Sequence, residues 1–377
     1  MAALREHANR SNQTTSDPPA SRRPGGTELV DANGALPLPW LAAPLRDLLQ
    51  RQQAHALLLQ GPQGVGQFEL AIALAQGWLC EAESADARPC GRCASCKLVQ
   101  ARSHADLLVL VPEAMQQQLG WGASDEDDAS SDRAAKAKPS QEIKVDAVRR
   151  AVAFAQITSG RGRGKVVVMH PAERMNGVAA NTLLKTLEEP PGNARFVLSS
   201  AAPDALLPTI RSRCQSVAMA PPPAQDALTW LTARGVADAA VLLAATGQQP
   251  QEALAWSQQG VDGASWSRLP ALVAQGGAEA LAGWPLPRVI DALQKLCHDS
   301  ACVAAGAAPR YFPPAAIARG ADPAALDAWR AELMRVARNA EHPWNAPLLI
   351  ESLVQQGQRA LARKGVAKRG ISVHSLP

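Results

Sequence analysis

A short apolar run, Ala56-Leu57-Leu58-Leu59, leads directly into Gly61-Pro62-Gln63-Gly64-Val65-Gly66-Gln67-Phe68, and helix-spaced apolar positions follow over 69–80. A strand apolar on both faces needs helices covering both, so a buried strand turning through glycines into a helix commits the chain to a layered α/β arrangement. The alternation continues downstream. Strands are expected over 107–111, 165–169 and 195–198, with helices over 145–155 and 177–188, the last stopped by Pro190-Pro191. This is the pattern of a parallel sheet with helices on both faces. Beyond Pro221-Pro222-Pro223 the periodicity is helical throughout, over 227–233, 236–246, 251–259 and on to Ala362. The expected fold class is therefore α/β, then all-α.

The spacing Gly61-x-x-x-x-Gly66 between strand and helix is that of a phosphate-binding loop, in which small residues let backbone N–H groups turn inward around an anion. The next two positions should be Lys, to meet the β- and γ-phosphates, and Ser or Thr, to hold Mg²⁺. Here they are Gln67 and Phe68, which offer no charge and no metal-binding oxygen. The loop keeps at most a weak backbone affinity for anions. A glycine turn with no nucleotide ancestry would look the same in isolation. A P-loop ATPase also needs carboxylates at the end of a neighbouring strand. After 166–169 the chain reads His170-Pro171-Ala172-Glu173, with Glu173 displaced along the loop. Both losses remove the chemistry of triphosphate hydrolysis.

Cys80, Cys90, Cys93 and Cys96 stand in the spacing C-x₉-C-x₂-C-x₂-C, out of seven cysteines in all. Two-residue gaps let neighbouring thiolates converge on one cation, and four sulfurs close a tetrahedral Zn²⁺ site of the structural kind. An iron–sulfur cluster and a redox Cys-x-x-Cys are the competing readings. An odd cysteine count argues against a disulfide framework.

A net charge of +4 neither demands nor excludes nucleic acid, and no apolar run is long enough to span a membrane. The first residues lack a signal peptide's apolar core, so a cytoplasmic protein is expected. Residues 1–34 read as a disordered leader, 113–141 as a flexible insertion carrying Asp125-Glu126-Asp127-Asp128, and 365–377 as a frayed basic tail. Finally, Thr209-Ile210-Arg211-Ser212-Arg213-Cys214 follows what reads as the last strand of the α/β part. An arginine in such a loop is usually solvated or ion-paired, but beside a nucleotide fold either Arg211 or Arg213 could act across a subunit interface.

Taken together, these segments resemble the AAA+ clamp-loader subunits of bacterial DNA polymerase III, and among them the delta-prime type. The resemblance is carried by Pro39-Trp40, by 55–67, by the four-cysteine module, by Ala179-Ala180-Asn181-Thr182-Leu183-Leu184-Lys185-Thr186-Leu187-Glu188-Glu189-Pro190-Pro191 and by Ser212-Arg213-Cys214. A weaker match is His342-Pro343-Trp344-Asn345 ahead of Leu348-Leu349-Ile350-Glu351-Ser352-Leu353. It covers about 37–363. It implies a RecA-like AAA+ domain over 35–220 with a zinc module at 80–96, a helical lid over 221–275 and a helical collar over 276–364. It further implies a hetero-pentamer with gamma/tau motor and delta subunits that opens a sliding clamp and places it on primer-template DNA. In that setting the chain binds no ATP tightly and is not itself an enzyme. Arg213 serves as an arginine finger in trans, completing the neighbouring motor subunit's ATP site. Gly247-Gln248-Gln249-Pro250, where a motor subunit's lid offers an arginine, has none. The alternatives are a motor-type ATPase with an altered loop, and a zinc-dependent DNA-binding module. The latter calls for dense basic charge around 80–96, where only Arg88, Arg92 and Lys97 occur.

Overall fold

A computed structural model describes residues 29–51, 54–121, 139–339 and 344–362. Its sheet has five parallel strands: β1 Ala56–Gln60, β2 Leu107–Leu110, β3 Val166–Met169, β4 Arg195–Ser200 and β5 Gln215–Ala218, in the spatial order β2-β3-β4-β1-β5. The helices of this part are α1 Ala42–Arg51, α2 Gln67–Leu79, α3 Ala94–Gln100, α4 Glu113–Leu119, α5 Val145–Gln156, α6 Gly177–Glu188 and α7 Pro208–Arg211.

Successive strand residues point to opposite faces, and the core divides accordingly. Leu57, Leu59, Val166, Val168 and Val197 pack with the apolar side of α2 and with Leu45 and Leu48 of α1. Ala56, Leu58, Val167, Met169, Phe196 and Leu198 pack on the other face with Val148 and Ala151 of α5 and Ala180, Leu183 and Leu187 of α6. Glycine and proline set the ends: α6 starts where the Asn176 side chain accepts the Ala179 amide (3.0 Å) and stops before Pro190-Pro191.

The chain then turns helical: α8 Ala224–Ala233, α9 Ala239–Ala245, α10 Pro250–Gln258, α11 Gly263–Ala274, α12 Leu286–Ala304, α13 Pro323–Arg338 and α14 Ala346–Leu361. Its core is built on indoles. Trp256 and Trp266 lie 5.1 Å apart, Phe312 stacks on Trp266 at 4.4 Å, and the fully buried Trp329 donates to the Leu353 carbonyl at 3.0 Å. Buried Asp299 holds the chain after α12 by accepting the amides of Arg310, Tyr311 and Phe312 at 2.8–2.9 Å. This core is continuous with the α2 face of the sheet.

Three expectations need correction. The sheet has a further strand, β5, after Cys214; Gln215, Ser216 and Ala218 are exposed there, so the apolar signal of a strand is missing. The stretch expected to be flexible from 113 begins instead as α4, ending at Gly120. The leader is packed at its end. Val30 is buried, and Gln100 donates to its carbonyl at 2.9 Å. The rest of the leader (1–28), the acidic block (within 122–138), His342-Pro343 and the basic tail lie outside the described residues. No helix among the described residues is long and apolar enough to cross a membrane.

Candidate functional site

The loop between β1 and α2 has the backbone of an anion cradle. Gly66 sits at φ +101°, a left-handed conformation, and a Cβ there would meet Leu38 Cδ1 at 2.6 Å. The side chains, however, close the cradle on itself. Gln67 is buried at the position where a phosphate-binding loop carries lysine, and its amide donates to the carbonyls of Gly61 (2.7 Å) and Pro62 (2.5 Å). Phe68, at the position of the metal-binding hydroxyl, is also buried and lies 4.9 Å from the His170 ring. His170 follows β3, where a P-loop ATPase keeps its acid. Burial pushes its imidazole down to about 4, so it is neutral at physiological pH, and its Nδ1 lies 2.9 Å from the Ser199 hydroxyl. The displaced Glu173 is engaged elsewhere, accepting the Ala201 amide at 3.1 Å.

Neighbouring segments seal the loop from outside. Trp40 donates to the Val65 carbonyl at 3.0 Å, and Trp230 of α8 donates to the Pro37 carbonyl at 2.9 Å. The two indoles meet edge-on at 5.4 Å. Gln249, in the segment lacking an arginine, packs over Gly64, and Gln251 donates to Glu69 of α2 at 2.7 Å. The two positions that meet phosphate and magnesium in a P-loop are thus held by side chains that find their partners within the chain, Gln67 on the Gly61 and Pro62 carbonyls and Phe68 on His170.

Arg213 lies just past α7. Its guanidinium forks onto the Glu188 carboxylate at the end of α6, with the Nε bond at 2.6 Å, and Nη1 donates to the Thr209 carbonyl at 2.9 Å. The pair is only partly covered, with side-chain exposures of 30% and 47%. Arg211 instead pairs with the exposed Asp204 at 2.9 Å, and Ser212 donates to the Thr209 carbonyl. Burial pushes the Cys214 thiol up to about 12, leaving it an inert core residue.

Cys80, Cys90, Cys93 and Cys96 converge, their sulfurs all within 4.8 Å of one another. The Cys80 and Cys93 sulfurs are 3.9 Å apart, matching the roughly 3.8 Å edge of a tetrahedron with Zn–S bonds of about 2.3 Å. Backbone amides are already aimed at the sulfurs: Ala82 and Cys90 donate to Cys80, Cys93 to Cys90, and Cys96 to Cys93, at 3.4–3.5 Å. Burial raises the Cys96 and Cys80 thiols. At Cys90 burial is outweighed by the Arg92 and Cys93 amides, which bring it down to about 6. This donor set fits a closed, structural tetrahedral cation.

A network that sequence reasoning missed ties this module to the sheet. Wholly buried Asp106 accepts from Ser159, from the amides of Gly160 and Arg161, and from Lys165 at 3.0 Å; its carboxyl is held down by these donors against burial. Arg161 in turn grips Glu81 beside Cys80. Nothing in the local sequence marks Asp106, because its partners lie more than fifty positions away.

A five-stranded parallel sheet in this order, a glycine loop closing its β1 strand and a following helical region define a RecA-like, AAA+-type protein. The family model described as "DNA polymerase III, delta subunit" matches residues 43–223. The DNA polymerase III subunit delta' of Pseudomonas aeruginosa is 41% identical over 229 residues, covering 59% of this chain and 62% of that one. The DNA polymerase III subunit delta' of Escherichia coli is 33% identical, covering 68% of this chain and 76% of that one. A gamma-subunit-related protein of Thermotoga maritima is similar in structure at a TM-score of 0.47 and 16% identity, covering 85% of this chain and 99% of that one. The chain belongs to the delta-prime family of DNA polymerase III subunits.

Proposed function

We propose that this chain is the non-hydrolysing delta-prime member of a clamp loader, lending Arg213 to the ATP site of an adjacent gamma/tau motor subunit. The observation that carries the reading is the closed loop: Gln67 is bonded to Gly61 and Pro62, and Phe68 is packed on neutral His170. A chain that has filled its own nucleotide pocket keeps the fold for a positional role. With delta subunits it would complete a hetero-pentamer that places a sliding clamp on primer-template DNA.

Arg213 supports the trans role by its geometry. Glu188 preorganises the guanidinium at the end of two helices, yet the partly exposed pair is weak enough to exchange for a more highly charged partner. A guanidinium meeting a γ-phosphate stabilises charge spreading over its oxygens in the transition state, worth roughly 10³–10⁵ in rate. Cys80, Cys90, Cys93 and Cys96 would hold a zinc ion, whose chemistry here is to cross-link a coreless segment.

The test is reconstitution of the loader with Arg213→Ala. Assembly should be intact, while DNA- and clamp-stimulated ATP turnover at the adjoining motor site falls by about 10³ or more. Unchanged turnover at that site would remove the arginine from the mechanism.

A further inference from the structure

We propose that a cavity beside the cysteine module, on the side of the sheet away from the glycine loop, is a binding site for a phosphate group. The glycine loop lies at the C-terminal end of β1. This cavity lies instead where the strands begin, with Arg195, the first residue of β4, and Gly162 and Arg163, just ahead of β3. Its volume is about 250 Å³, and its walls are Leu49, Gly77, Trp78, Ala85, Arg88, Gly162, Arg163 and Arg195. Three guanidinium residues and no carboxylate face one space.

None of the three arginines has an anionic partner among the described residues. Arg195 is half-buried with its guanidinium 4.7 Å over the Trp78 ring, and burial lowers its affinity for the proton. A ring face orients a guanidinium but does not neutralise it. Arg88 is fixed by donating to two carbonyls, Ala82 at 2.7 Å and Glu83 at 3.0 Å. Arg163 is exposed on a loop whose next residue, Gly164, is buried. Of the acidic side chains near Arg88 in sequence, Asp86 accepts from Gln50, Glu81 is gripped by Arg161, and the exposed Glu83 does not line the cavity.

Clustered cations without an anion repel one another, and the repulsion is relieved by a multivalent oxyanion that can accept several forked N–H donors together. The ligand class follows from size and charge. The space has room for a phosphate or pyrophosphate group with its oxygens and falls below the roughly 300 Å³ at which pockets take whole drug-sized ligands. Gly162, at φ +73° with nothing within 4 Å of a would-be Cβ, leaves the entrance open. That phosphate is either free or part of a nucleic-acid backbone, and both present the same oxygens.

The experiment uses the full chain with its metal, in wild-type form and as Arg163→Gln and Arg195→Gln. Inorganic pyrophosphate is titrated by calorimetry, and a labelled single-stranded oligonucleotide by fluorescence anisotropy, at low and moderate salt. Pyrophosphate should bind the wild type, and each substitution should weaken it about tenfold or more. Because Arg163 is exposed and has no hydrogen bond or ion pair among the described residues, its variant is expected to stay folded and keeps the test decisive even if Arg195→Gln does not. Oligonucleotide binding that weakens in parallel assigns the phosphate to a nucleic-acid strand, whereas oligonucleotide binding that is absent or unmoved assigns a free anion. Pyrophosphate that fails to bind, or binds Arg163→Gln as tightly as wild type, overturns the proposal.

Discussion

At the glycine loop Gln67 and Phe68 have found partners within the chain, whereas at the turn after α7 the arginine proposed to act in trans remains partly open. Gln67, Phe68 and Leu38 are buried, and Trp40 closes over them onto Val65. Arg213 rests on a carboxylate that is itself about half exposed. The difference separates two uses of one fold. Groups sealed into a core add to stability and are unavailable for binding, while an exposed, preoriented ion pair adds little stability and stays available to a neighbour. Substitutions at the loop should therefore be read in unfolding experiments, and substitutions at the arginine in the assembled machine.

The largest effect is expected from Phe68→Ala, which empties a buried ring site and should cost about 3–5 kcal/mol in denaturant titration. A loss under about 1 kcal/mol would mean that the ring does not fill the site. His170 comes next and acts through pH. Its folded-state pKa, about 4, lies below the ordinary 6.5, so between these values the unfolded chain binds the extra proton. Stability from this group is complete above about pH 6.5 and is lost as pH falls toward 4, by up to about 3 kcal/mol. His170→Gln should show a visibly shallower slope over that window; equal slopes would show that the imidazole is not held neutral by burial. Gly66→Ala, which forces a side chain into a left-handed position against Leu38, should cost about 1–3 kcal/mol. Smallest is Glu188→Gln, expected to change unfolding free energy by less than about 1 kcal/mol. A cost there as large as that of Phe68→Ala would erase the contrast between the two regions.

Much of this was legible in the chain itself, for identifiable reasons. β1, β3 and β4 are buried on both faces and read as apolar runs, and α6 carries both a capping Asn176 and a Pro190-Pro191 stop. The cysteine spacing and the substitutions at Gln67 and Phe68 are local patterns visible without coordinates. What stayed hidden was non-local or lacked a hydrophobic signature. β5 is an exposed edge strand with little apolar content, and α4 is a short helix in a polar stretch. The Asp106 network, the self-closure of the loop by Gln67 and the Glu188–Arg213 fork each depend on a side chain's direction or on pairs far apart in sequence.

The most direct measurement is an equilibrium titration of the isolated full chain with ATP and Mg²⁺, followed by calorimetry. With Gln67 bonded into the loop and Phe68 against neutral His170, no magnesium-dependent binding is expected even at millimolar nucleotide. Tight binding that requires Mg²⁺ and disappears in Gly66→Ala would contradict the account at its centre.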